Sequence, residues 1–155
     1  MAPPHECQPT KILSGRVVFA VTADVGITIL DVQQWTLETA EALFRESATL
    51  ARPPRHSLVS FLGAEPTAMV RKRLVELQED VIEAFPRLRS GRTVVLTNSA
   101  ITRGAVTAWR WISNSNTVAY AQERVEDAAA WIVDDSSDAA SVVGTYRAAV
   151  ALSRR

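Results

Sequence analysis

Apolar and polar positions along this chain follow two rhythms, and the change from one to the other marks its elements. Val17-Val18-Phe19-Ala20-Val21 is β-branched and aromatic, with Gly15 before it and Asp24 and Gly26 after it. Ile27-Thr28-Ile29-Leu30 follows at once. Two short β-prone runs joined by a Gly-containing turn predict an antiparallel hairpin. The rhythm then lengthens. Leu37, Ala40, Phe44, Ala48 and Ala51 recur at helical spacing after a potential cap at Thr36, with Glu38 and Glu41 in the first turns, and Pro53-Pro54 ends the element.

The alternation continues. Leu58 to Leu62 predicts a strand broken by Gly63, and Glu65-Pro66-Thr67 opens a second helix. Its apolar stripe is Val70, Leu74, Leu77, Val81 and Phe85, opposite Arg71, Lys72, Glu76, Glu79, Asp80 and Glu83. Thr93 to Thr97 has no polar alternation in its middle, as expected of a strand buried on both sides of a parallel sheet. A third helix starts near Thr102, and Thr117 to Ala121 is a fifth strand. Val125, Ala128, Ala129 and Ile132 line a fourth helix. The polar run from Asp134 to Asp138 supplies a cap for a last one, on which Val142, Tyr146 and Ala149 share a face.

The expected fold is α/β: a mixed, mostly parallel five-stranded sheet with an N-terminal antiparallel hairpin, helices packed on it, and an extra C-terminal helix. Three prolines fall in the first nine residues, so residues 1–14 read as a flexible tail. Residues 15–133 are the α/β domain and 134–155 a helical extension. At 155 residues the chain can bury one core, and its 47% apolar and 22% charged content argues against disorder.

Seventeen basic side chains balance seventeen acidic ones. That balance gives no bias toward nucleic acid, and it permits self-association as a homodimer. The lone Cys7 allows no internal disulfide, and the first residues lack the basic and apolar regions of a secretory signal. No apolar run approaches the roughly 18–20 residues that a bilayer span needs, so no membrane insertion is expected. Together these features point to the cytoplasm.

No catalytic, metal or cofactor constellation is legible. The six glycines form no phosphate-binding loop, and His5, Cys7 and His56 do not make a metal set. His56 beside Ser57 reads as a solvated loop histidine, and no nucleophile elbow is present. Glu79-Asp80 and Asp134-Asp135 read as solvated surface rather than acid–base pairs.

Three groups of residues remain as candidate sites. Asn98 and Ser99 end a predicted parallel strand, with Thr102 and Arg103 at the following helix start. Ligands of open α/β sheets bind there, although these types also simply build the turn and its cap. Thr67, on the first turn of the second helix, is a candidate phospho-acceptor. Trp109 and Trp111 flank Arg110 on the third helix, about 200° apart, so they cannot both face the core. With Trp131 they are candidate aromatic anchors for a protein partner.

The order of elements resembles the STAS and SpoIIAA-like superfamily of bacterial regulatory domains over about residues 15–133. The likeness includes the final strand Thr117-Val118-Ala119-Tyr120-Ala121 and the helix Glu126-Asp127-Ala128-Ala129-Ala130-Trp131-Ile132, similar to the family's "E-x-A-x-x-W-[LI]" close. The resemblance implies a non-catalytic regulatory or interaction module. It also implies a phosphorylatable turn after the third strand, but Leu62-Gly63-Ala64-Glu65-Pro66-Thr67 lacks the D-S-[ST]-G pattern, with Thr67 the nearest hydroxyl. That departure favours the SpoIIAA-like branch over a kinase-controlled antagonist. The alternative is a small-molecule binder or unrecognised enzyme using the strand-end pocket.

Overall fold

The computed structural model describes residues 3–113 and 116–155, with backbone alone for 108–113. The strands are β1 (Cys7–Ile12), β2 (Val17–Thr22), β3 (Val25–Leu30), β4 (His56–Phe61), β5 (Thr93–Leu96) and β6 (Thr117–Tyr120). The helices are α1 (Leu37–Leu50), α2 (Ala68–Ala84), α3 (Ala100–Ser113), α4 (Val125–Ile132) and α5 (Ser136–Ser153). The strands lie in chain order in one sheet. β1, β2 and β3 pair antiparallel, and β3, β4, β5 and β6 pair parallel.

The α/β class and the hairpin-then-parallel order agree with the sequence pattern, but the sheet has six strands rather than five. The extra strand, β1, falls where a flexible tail is expected. Pro9 is tolerated because β1 is an edge strand, whose outward N–H groups need no partner. The pairing also shifts register between Cys7 and Thr10. Ile12 and Leu13 are buried, so the segment is anchored by its apolar end.

The β2–β3 turn is Ala23-Asp24, both with positive φ (52° and 57°), the geometry of a two-residue primed hairpin. Gly26 instead sits inside β3, where a Cβ would lie 2.6 Å from Pro54 Cγ.

Alternation along the strands divides the core into two. Val18, Ala20, Val25, Ile27, Ile29, Leu58, Val94 and Leu96 face α4 and α5, where Ala128, Ala129, Ile132, Val142 and Ala149 complete a sealed core. Val17, Phe19, Val21 and Leu30 face the other way, onto Leu43 of α1. Leu43 of α1 and Leu74 of α2 pack on that second face, and the right-handed rule for parallel crossovers puts α3, which packs along β6, on the same side.

α2 departs from its sequence pattern. Of its apolar stripe only Val70 is buried, and Phe85 falls just beyond the helix as its exposed C-cap. α2 leans on α1, with Arg73 Nε 3.2 Å from Glu41 Oε1, and Leu74 alone of the stripe joins the α1-side core. The second face is consequently less well covered. Val59, Phe61 and Val95 are part-exposed, whereas Leu58, Val94 and Leu96 on the opposite face are fully buried.

Candidate functional site

The polar residues that follow β5 lie at the carboxyl end of the parallel sheet. Thr97 is buried, and its hydroxyl donates to Glu65 Oε1 at 2.7 Å and accepts from the Ser99 N–H at 3.1 Å. Ser99 caps α3, its Oγ accepting from the Thr102 N–H at 3.2 Å. The Arg103 guanidinium turns back to the Thr97 carbonyl at 2.8 Å.

Asn98 reaches across to the end of β6. Its Nδ2 donates to Gln122 Oε1, and its Oδ1 accepts from the Gln122 N–H, both at 3.2 Å. Gln122 also donates through Nε2 to the Phe61 carbonyl at the end of β4. One glutamine side chain thus clasps the ends of three adjacent parallel strands.

The structure therefore brings Asn98, Ser99, Thr102 and Arg103 together, and engages each in the turn, the cap or the clasp. Gln122 and Glu65 belong to the same cluster and were missed from the sequence. They lie far from Asn98 in the chain, and a lone Gln or Glu in a loop carries no local signal. The cluster holds strand ends in register. It presents no histidine or thiol, and its one carboxylate, Glu65, accepts the Thr97 hydroxyl through Oε1.

Thr67 is the N-cap of α2, exposed, with Oγ1 accepting from the Val70 N–H at 3.4 Å. Trp131 is half-buried against the α4–α5 core, and its carbonyl accepts from Arg92 at 3.2 Å. The side chains of Trp109, Arg110 and Trp111 lie outside the described residues. Among the described residues no group of three or more His, Cys, Asp or Glu side chains could hold a metal ion, and no helix is long and apolar enough to cross a membrane.

Both histidines lie at the opposite end of the sheet. There an open cleft of about 830 Å³ includes His5, Arg52, Phe85 and Arg87 in its lining. Its charged groups are engaged by neighbours. Arg52 Nη1 is 2.7 Å from His5 Nε2, and Arg87 donates to the Pro53 carbonyl at 2.7 Å.

His56 begins β4 rather than resting in a solvated loop. Its Nδ1 accepts from the Arg92 N–H at 3.0 Å, and its own N–H donates to the Asp24 carbonyl at 3.0 Å. An Nδ1 that accepts is unprotonated. Burial, and then the nearby Arg55 and Arg92 cations against Asp24 and Asp134, lower its pKa below the ordinary value.

The unfolded chain therefore protonates first as pH falls, and protonation also removes the acceptor for Arg92. Stability from this residue is present above the unfolded histidine pKa of about 6.5 and is lost below it. Urea unfolding is expected to show lower stability near pH 5 than near pH 7, with a shallower dependence in His56→Asn, whose amide oxygen replaces Nδ1 as acceptor. An unchanged pH dependence in that variant would remove His56 from the account.

Compared with known proteins, the chain matches no protein-family model and no curated protein sequence.

Proposed function

We propose that this protein is a non-catalytic regulatory module that works by binding another protein through its α1–α3 layer. The observation that carries the reading is where large apolar side chains meet solvent. Leu37, Met69, Val75, Phe85 and Ile101 are 43%, 68%, 43%, 45% and 86% exposed. All five belong to α1, α2 with its C-cap, or α3, and none to α4 or α5. On the sheet face that this layer covers, Val59, Phe61 and Val95 are also part-exposed. Apolar surface gathered on one layer, beside a sealed opposite face, marks a surface built to be covered. The likeness to STAS and SpoIIAA-like domains supports the same class of role. The strand-end cluster supports a small-ligand site less well, because its polar groups already satisfy one another.

The test is site-specific photo-crosslinking in the native host from positions 75 and 101, with exposed position 147 on α5 as control. The reading expects one species, another protein or a second copy, from both layer positions and not from 147. The complex should re-form from purified components and be lost in Val75→Glu. Equal capture from 147, or none from the layer, would sink it.

A further inference from the structure

Leu37, Met69 and Ile101 are equally spaced along the chain, and the fold turns that spacing into a row. Each lies in the first turn of one of three successive helices, α1, α2 and α3. Those helices begin beyond the carboxyl ends of three adjacent parallel strands, β3, β4 and β5. Their first turns therefore emerge along one rim of the domain, and all three apolar side chains are exposed there. Helix formation does not ask for them. First turns favour small polar caps and carboxylates, which satisfy free N–H groups and the dipole.

The charges on this rim are lopsided. Asp31 and Glu38 lie on the α1 half. α2 and α3 carry no acidic residue in their first turns, so no side chain of their own offsets the positive ends of their dipoles. Arg71 and Lys72 on α2 and Arg103 on α3 add to that potential. Arg71 Nη1 is held at the Pro66 carbonyl at 2.9 Å and Arg103 Nη1 at the Thr97 carbonyl at 2.8 Å. Among the described residues neither guanidinium is paired with a carboxylate. Two carboxylates, Glu65, which accepts the Thr97 hydroxyl, and the exposed Glu123 just after β6, lie near this half, against the three cations Arg71, Lys72 and Arg103.

We propose that this rim is a docking site for a protein segment presenting apolar anchors together with aspartate or glutamate, the acidic residues seated over the α2–α3 half. The proposal rests on the interaction reading above and adds its place and chemistry. Three apolar anchors in a row suit one face of an amphipathic segment, and the excess of cations over carboxylates on the α2–α3 half selects its charge. An anionic lipid surface fits less well, because Asp31 and Glu38 would meet it along the same rim.

The experiment titrates isotope-labelled full-length protein by NMR with three synthetic amphipathic peptides and with mixed phosphatidylcholine–phosphatidylserine vesicles. One peptide is apolar and acidic, one has lysine in place of its acids, and one has serine in place of its apolar residues. The expected result is that the first shifts amides within 67–72 and 99–103. Its affinity should fall about tenfold or more in Met69→Glu and in Ile101→Glu, as for loss of a central anchor. Both positions are exposed, and circular dichroism checks that the variants are folded. Equal binding of the lysine peptide, or vesicle binding without peptide binding, overturns the proposal. Shifts confined to Val59, Phe61 and Val95 overturn it while leaving the interaction reading standing. No shift anywhere in the α1–α3 layer also overturns the proposal, while the interaction reading stands or falls with the crosslinking from positions 75 and 101.

Discussion

Deleting residues 135–155 is expected to leave a chain with strand and helix content but no cooperative unfolding transition. α5 is part of the core. Val142 and Ala149 are fully buried and Tyr146 nearly so, against Val18, Ala20, Val25, Ile27 and Ile29. Two side-chain hydrogen bonds also cross this junction. Tyr146 Oη lies 3.2 Å from the buried Ser60 Oγ, and Ser141 Oγ lies 2.6 Å from Thr22 Oγ1.

Removing the helix loses its own buried side chains and exposes the strand residues beneath them. At about 2 kcal/mol for each large apolar side chain, the loss is on the order of 10 kcal/mol. That is comparable with the whole stability of a domain, about 5–15 kcal/mol. Near-UV circular dichroism and thermal melting of the 1–134 fragment provide the measurement. A sharp melt with native near-UV bands would show that the first 134 residues suffice. A milder probe, Tyr146→Phe in the full chain, should cost about 1 kcal/mol by leaving the Ser60 hydroxyl without its partner.

The same helix shows where sequence reading stops. The spacing of Val142, Tyr146 and Ala149 identifies an amphipathic helix, but spacing does not say which surface it covers. That depends on the face of the sheet left open once α1–α3 fill the other. β1 was hidden for a different reason: Pro9 and a register shift disguise its period, and only pairing with β2 makes it a strand. Local signals did better where the physics is local. The β2–β3 hairpin, the Thr36 cap of α1 and the buried stripe of α4 all rest on neighbours within a few residues. At the strand ends, Ser99 and Thr102 were legible as a turn and cap, whereas Glu65 and Gln122 join that cluster only through the fold. The exposed row of Leu37, Met69 and Ile101 was legible in neither rhythm. Leu37 counted toward an apolar stripe, and the row exists only because parallel strands align three helix starts.

Gly91→Ala is expected to cost about 3 kcal/mol, lowering the melting temperature by about 6–12 °C. The cause is space rather than backbone freedom, since Gly91 has an ordinary extended conformation, with φ −72° and ψ 158°. A Cβ built there would lie 1.9 Å from the Arg55 carbonyl oxygen and 3.0 Å from that of Leu88. Neither contact is a flexible side-chain tip. Relief requires moving the segment that enters β5 away from the one that enters β4. The bonds joining them run from the Ser57 N–H to the Arg92 carbonyl, 2.9 Å, and from the Arg92 N–H to His56 Nδ1, 3.0 Å. Gly144→Ala gives the contrast. It lies inside α5, where a Cβ would meet nothing within 4 Å beyond its chain neighbours and the helix's own backbone, so alanine should stabilise by about 0.5–1 kcal/mol. Because Gly91 and His56 act on the same junction, Gly91→Ala and His56→Asn should not add, and the double variant should lose less than the two single losses combined. Strict additivity in urea unfolding, or a neutral Gly91→Ala, would mean that β4 and β5 do not meet at Gly91 as closely as this geometry requires.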